Sequence, residues 1–283
     1  MQLFCPVPPA AEGSIRQGLF CPACNHPTPF IMKRSILLTL ALFSTSAFAD
    51  SGPADEVKAA AKKLADAANY SWTTTSTVPE GSRFRPGPVD GKTAQNGSTL
   101  VTMATGDRKT EAVLKDGKAV LKTEAGWQTP EEMRAARETG GGAGGRGGFG
   151  GRLLQDFKTP AQQAADLAGK VKELKKDGET FAGDLTEAAV KEMMTMGGRR
   201  RDGAEAPTPT DAKGSVKFWV KDGVLTKYET HVSGKISFNG NEMNIDRTAT
   251  TEIKEVGTSK VEAPEDAQKK INSAPAPAPA KQD

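Results

Sequence analysis

The stretch Val216-Lys217-Phe218-Trp219-Val220-Lys221-Asp222-Gly223-Val224-Leu225 decides the fold. Asp-Gly tolerates positive φ at both central positions of a type I′ turn, whose twist matches that of two antiparallel strands. With the turn at Asp222-Gly223, Val220 stands opposite Leu225, and Val216 and Phe218 continue the same face. Lys217, Trp219, Lys221 and Tyr228 fall on the other. An apolar side opposite an amphipathic one describes an antiparallel sheet packed on a single face.

The same signal recurs along the chain. Asn239-Gly240 puts Ile236, Phe238, Met243 and Ile245 on one face, Asp116-Gly117 gathers Ala112, Leu114, Ala119 and Leu121, and Asp177-Gly178 opposes Leu174 to Phe181. Alternating, Thr-rich runs at Tyr70 to Val78 and Ser98 to Thr105 add strands. Helical spacing appears from Glu56 to Ala68, with Val57, Ala60, Ala61 and Leu64 on one side. Pro130 to Glu138 opens on a proline followed by Glu131 and Glu132, and Thr159-Pro160 starts another helix through Leu167. Thr186 caps a further one, with Ala189, Val190, Met193 and Met194 on its apolar side. The expected class is therefore α+β: a strongly curved antiparallel sheet, an incomplete barrel, with short helices packed in the concave face.

Met32-Lys33-Arg34, the apolar run Ile36 to Phe43 and Ala47-Phe48-Ala49 have the order of a secretory signal peptide. The run is too short to span a bilayer, so residues 32–49 are expected to be removed and the mature chain to be periplasmic or secreted, without a membrane span. Met32 is then the expected initiator, and residues 1–31 an untranslated or disordered leader. Cys5, Cys21, Cys24 and His26 all lie in that leader. Cys21 and Cys24 have the spacing of one zinc knuckle, but a structural site needs four ligands, so no metal and no cofactor is expected. Residues 53–264 are expected to form one domain, with flexible insertions at 139–152 and 197–213 and a disordered Ala/Pro tail at 265–283.

The 283 residues are 36% hydrophobic and 26% charged with a net charge of +3, too balanced for a chain built to hold nucleic acid. Gly145-Arg146-Gly147-Gly148-Phe149 imitates an RNA-binding repeat, but in an exported, nearly neutral chain it reads as a flexible loop. Arg199-Arg200-Arg201 reads as a solvated run, and His231 has no second histidine to share a metal. Glu131 with Glu132, or Glu252 with Glu255, are the carboxylates an acid-base pair would draw on, yet nearness in sequence does not bring them into one pocket. No catalytic residue is assigned and the chain is read as a non-enzyme.

Order and type of elements resemble the bacterial outer-membrane lipoprotein carrier superfamily (LolA-like), including its mycobacterial lipid-binding lipoprotein branch. The resemblance rests on a helix running into Ala67-Ala68-Asn69-Tyr70-Ser71-Trp72, on Phe181-Ala182-Gly183-Asp184-Leu185-Thr186 before a helix, on the Trp219 strand, and on a close at Val261-Glu262-Ala263-Pro264. It implies a curved, incomplete barrel plugged by helices that accepts acyl chains. This chain has no cysteine after Ala49 for lipid attachment, and its Gly-rich and Arg-rich insertions are foreign to the family pattern.

Independently of the family, a curved sheet with one apolar face must be filled, and Ala-rich, Met-bearing helices fill it adaptably. The expected ligand is a lipid acyl chain or lipoprotein, lined by Phe218, Val220, Leu225, Ile236, Phe238, Met243, Met193 and Met194. The alternative is an envelope protein-binding or scaffold module with a filled core, using Trp219, Tyr228 and the Arg cluster; a hydrolase would need two convergent carboxylates. The export reading has a direct check: N-terminal sequencing of the exported protein should begin at Asp50, and a mature chain retaining Cys21 and Cys24 would overturn it.

Overall fold

The computed structural model describes residues 52–82, 85–105, 108–138, 157–195, 208–238 and 241–274. The leader, the signal segment, the insertion 139–152, the Arg199–Arg201 run and the turn residues Asn239 and Gly240 lie outside the described residues.

Eleven strands are described: β1 (Asn69–Thr77), β2 (Val89–Ala94), β3 (Thr99–Thr105), β4 (Arg108–Lys115), β5 (Lys118–Thr123), β6 (Gly126–Gln128), β7 (Lys175–Asp177), β8 (Thr180–Asp184), β9 (Thr208–Lys221), β10 (Val224–Phe238) and β11 (Asn241–Lys254). They form one sheet in the order β6-β5-β4-β3-β2-β1-β11-β10-β9-β8-β7, antiparallel at every step and not closed between β6 and β7. Laid flat, β5 and β8 would stand ~38 Å apart at the usual strand spacing. Leu121 of β5 and Phe181 of β8 instead belong to one continuous apolar cluster with three helices. Few helices bridge such a width only if the sheet curls around them, so the architecture is the expected incomplete barrel.

The helices described are α1 (Pro53–Ala65), α2 (Pro130–Glu138), α3 (Pro160–Gly169), α4 (Glu187–Thr195) and α5 (Glu265–Ser273). Val57, Ala60, Ala61 and Leu64 are the buried stripe of α1, which packs on α3, β9 and β10, and Lys63 Nζ donates to Asp222 O at 2.9 Å. α3 begins with a capping box: Gln162 N donates to Thr159 Oγ1 and Thr159 N donates to Gln162 Oε1, which satisfies two otherwise free helix-start donors. Thr186 Oγ1 accepts from Ala189 N at the start of α4, which lies on β9 and β10.

The hairpins at Asp116 and Asp222 have the expected turns, with φ of 51 and 53 at the aspartates and 73 and 70 at the glycines. Two registers differ from expectation. In β7–β8 the turn is Gly178-Glu179, so Asp177 opposes Thr180 and Phe181 faces Lys176 rather than Leu174. Beyond Asp222 the Val220–Leu225 pair is as expected, but Thr226 is an extra residue in β10, and its Oγ1 donates to Trp219 O. Such a bulge shifts the partner by one and turns over the side chains that follow, until a second irregularity between Ser233 and Lys235 restores the expected count at Lys235 opposite Thr210. Tyr228 therefore opposes Phe218 in the core, and Lys227 takes the place beside Trp219.

Two tail boundaries also move. Thr208 to Lys213 belong to β9 and not to the 197–213 insertion. Glu265–Ser273 is a helix where the composition reads as tail: Pro264 precedes it, Glu265 and Asp266 occupy its first turn, and Ala267 and Ile271 form its buried side. That side covers Val113 and Val120, which point away from the main core next to Leu100 and Trp127. The sheet thus has a second apolar patch on its outer face, and α5 is its cover. Lys270 binds Glu132 of α2 at 2.5 Å, tying that cover to the sheet edge. Ile271→Ala should lower unfolding stability in urea by about 2–5 kcal/mol, the cost of truncating a buried branched side chain. A change near zero would mean that α5 is not a structural part of the domain.

Candidate functional site

Direct cross-strand partners share a face, so the register assigns the concave surface residue by residue. On β1 it carries Tyr70, Trp72, Thr74 and Ser76; on β11 Ile253, Thr251, Ala249, Arg247, Ile245 and Met243; on β10 Tyr228, Thr230, Val232, Gly234 and Ile236. The Tyr70 end is filled. The Trp72 ring lies across Gly91, where any Cβ would sit 2.1 Å from it, and stacks on Phe157 at 6.0 Å between centroids. Trp72 Nε1 donates to Thr93 Oγ1, Thr99 Oγ1 donates to Thr93 Oγ1, and the Thr74 and Thr251 hydroxyls share a bond of 2.7 Å. Tyr228 OH donates to Gln163 Oε1 at 2.6 Å, while the buried Tyr70 OH lies near the Thr159 and Thr93 hydroxyls without a well-formed hydrogen bond among the described residues.

The helical cover ends before the sheet does. Phe218 and Leu225 are completely enclosed in the cluster that α1 joins, and Val220 is half-buried beside them. Met194 of α4 seats on Gly234, whose missing Cβ would lie 2.8 Å from Met194 Cε, and Met193 is half-buried against the same cluster. Ile236 is buried next, and then the surface opens: Ile245 is half-buried, and Met243, opposite Ile236, is 58% exposed. The Phe238 side chain lies outside the described residues, although its backbone pairs with Asn241 on the two-residue hairpin register. Of the eight expected lining residues, the fold gathers Met193, Met194, Ile236 and Met243 around this open end and puts Phe218, Val220 and Leu225 at the filled end.

Arg247 was not among the expected lining residues. It opposes Val232 on the concave face, between Ile245 and Ala249, half-buried and with no ion pair or hydrogen bond among the described residues. Burial pulls its pKa below the usual value for arginine. The directly paired inner positions of β1, β9, β10 and β11 carry no carboxylate, and Asp211, in the irregularity of β9 opposite Gly234, is exposed.

Two cavities flank the trough. One of about 340 Å³ lies at the seam between α3 and the β4–β5 hairpin, with Thr99, Leu114 and Phe157 inside and Lys115 and Lys118 at its rim. The other, about 280 Å³, is on the outer face, between Thr73, Asp90, Lys92, Leu100 and Thr102. Also outside, Trp219 stands between Lys217 and Lys227, whose Nζ atoms lie 5.0 and 4.5 Å from its ring centre. His231 meets Asp246 at 3.0 Å on that face. The carboxylates considered for acid-base work are dispersed: Glu132 is held ionised by Lys270 and the Thr129 amide, and Glu252 by Lys254. Among the described residues no cluster of three or more His, Cys, Asp or Glu could hold a metal, and no helix is long and apolar enough to cross a membrane.

No protein-family model matches this chain, and no curated protein matches it by sequence. Solved structures similar to it include the lipoprotein LppX of Mycobacterium tuberculosis, at 11% identity and a TM-score of 0.39 over 74% of this chain and 96% of that one. LprF of Mycobacterium bovis gives 11% and 0.38 over 74% and 94%. A LolA superfamily protein of Nitrosomonas europaea gives 8% and 0.31 over the same shares.

Burial makes the two tyrosines of the chain a probe of the filled end, since each is 2% exposed. Burial raises the pKa of both above 10.0, opposed in part by the nearby hydroxyls of Thr159 and Thr93 for Tyr70 and of Thr251 for Tyr228. A folded pKa above the unfolded one means that the protonated form stabilises the fold below about pH 10 and that this stability is lost as pH rises further. Ultraviolet titration should show less than half of the tyrosine ionised at pH 10, with ionisation completed as the circular dichroism of the sheet collapses; half-ionisation at pH 10 in a folded protein would refute the packing described.

Proposed function

We propose that this chain is an exported, non-catalytic binding protein for an apolar ligand, an acyl chain of a lipid or lipoprotein, held at the open end of the concave face. One observation carries the reading: the apolar inner surface continues past the last covering helix, from Ile236 to Ile245 and Met243, and leaves Met243 58% exposed. Large exposed apolar side chains on a concave surface are characteristic of ligand grooves. Met193 and Met194 supply the adjacent cover, and unbranched thioether side chains repack around differing chains at low cost. Each methylene buried there would contribute about 0.8 kcal/mol, so ten would offset association costs at the lower end of the usual range. Phe218, Val220 and Leu225 then form the closed wall behind the site.

A second reading is favoured by the enclosure of Phe218 and Leu225 and by Trp219 between two lysines on the outer face. In it the core is filled, and Trp219 with Lys217 and Lys227 docks an envelope protein.

Displacement of a fluorescent fatty-acid probe separates the two. The ligand-binding reading expects saturable uptake by the whole protein and about a fivefold or greater loss of affinity on Met243→Asp, an exposed position where the charge leaves the fold intact. Absence of uptake, together with native mass spectra of envelope-purified protein free of lipid, would remove the reading and leave the docking module.

A further inference from the structure

We infer that Arg247 is the anchor for an acidic headgroup, so that the ligand of the open groove is a singly tailed or multiply tailed anionic amphiphile rather than a neutral lipid. The inference rests on the binding role proposed above and specifies the chemistry of what is bound. Its ground is the position of the residue. The inner row of β11 reads Met243, Ile245, Arg247, Ala249, Thr251, Ile253, and the partner of Arg247 on β10 is the fully buried Val232. An arginine on that row stays charged, because its guanidinium is not deprotonated in proteins. Partly removed from water and without a counter-ion, such a charge is costly, and the cost falls when an anion arrives.

Among the described residues nothing does this for it. The neighbouring inner positions are Ser76, Thr230, Val232, Gly234, Ile245 and Ala249, none acidic. The nearest acidic residue in sequence, Asp246, points to the outer face and is taken by His231 at 3.0 Å. On α4, the helix that covers the adjoining surface, Glu187 pairs with Lys191 and Glu192 with Lys170. An apolar strip ending in one unpaired guanidinium complements an amphiphile whose head is a carboxylate or phosphate, both of which match the planar donor fork. Lysines elsewhere on the sheet do not offer this combination: Lys176, opposite Phe181 on the inner side, is paired with Glu56, and Lys217 and Lys227 stand on the outer face against Trp219.

The test compares hexadecanoate with hexadecan-1-ol, equal in tail and different in charge, on the full-length protein by isothermal titration. The wild type should bind the acid about tenfold or more tightly than the alcohol, and Arg247→Gln should remove that preference while leaving alcohol binding within about twofold. Arg247→Lys should restore most of the preference, which a merely structural role would not predict. Equal affinities for acid and alcohol in the wild type, or equal losses of both on Arg247→Gln, would overturn the inference and leave the groove as a neutral-chain site. Displacement of hexadecanoate by millimolar inorganic phosphate would also overturn it, making Arg247 a site for free anions. Failure of both probes to bind would overturn the groove itself along with its anchor.

Discussion

The pairing of β1 with β11 is the constraint on which the rest of the molecule depends. Ser71 through Thr77 run antiparallel to Lys254 through Thr248, joining segments nearly the whole described chain apart. On one side of this seam lies the meander β1 to β6, and on the other β11 back to β7. Apart, each half would expose one long ladder of unpaired amides and carbonyls, on β1 in one and on β11 in the other, a template for aggregation. Joined, they make one sheet wide enough to curl over α1, α3 and α4. The seam is held by threonines on both strands, with Thr74 and Thr251 bonded at its centre, and by Trp72 opposite Ile253 on the inner side. Closing so long a loop is entropically expensive and slow, which is why β-branched residues with high strand preference are concentrated there.

What was legible in the sequence follows from how local each signal is. The turns at Asp116 and Asp222 were readable because a two-residue turn with positive φ at both positions demands those residues and then sets the register by counting. Counting fails as soon as one residue is inserted. Thr226 carries no mark that distinguishes a bulge from an ordinary strand threonine, yet it moved Tyr228 from the expected outer patch to the core beside Phe218, 6.4 Å away between ring centres. At Asp177 the glycine could serve as either the first or the second turn residue, and tertiary pairing with β9 selected the first. The helix α5 had signals of its own, proline before acidic residues and an apolar pair four apart, but they were read together with the Ala/Pro repeat behind them.

The open end was half legible. Met193, Met194, Ile236 and Met243 were found by periodicity, because helical and strand spacing both point at a concave face. The same alternation that placed Met243 and Ile245 inward reaches Arg247 in one more step, so the signal was present. What the sequence could not show is where the helices stop covering the sheet, and that decides which inward residues are core and which are site. Phe218 and Leu225 have the same inward pattern as Ile236, and only the seating of α1 near the Asp222 turn separates them.

This division bears on why the domain tolerates an inward arginine with no partner among the described residues. A buried or half-buried charge is replaced by an apolar residue of similar volume at no loss of stability, and often with a gain. Val232 and Ile245 next to Arg247 show that the site accepts such residues. The filled end, with α1 and α3 sealing Tyr70, Trp72, Phe218 and Leu225, supplies cohesion enough to carry the mismatch. Departures from the local packing rule that the rest of a fold obeys are concentrated where function requires them. The proposed groove stands at the end of the trough where cover is thinnest, where glycine at position 234 lets α4 sit low and a single charge interrupts an otherwise apolar and hydroxylated row of β11.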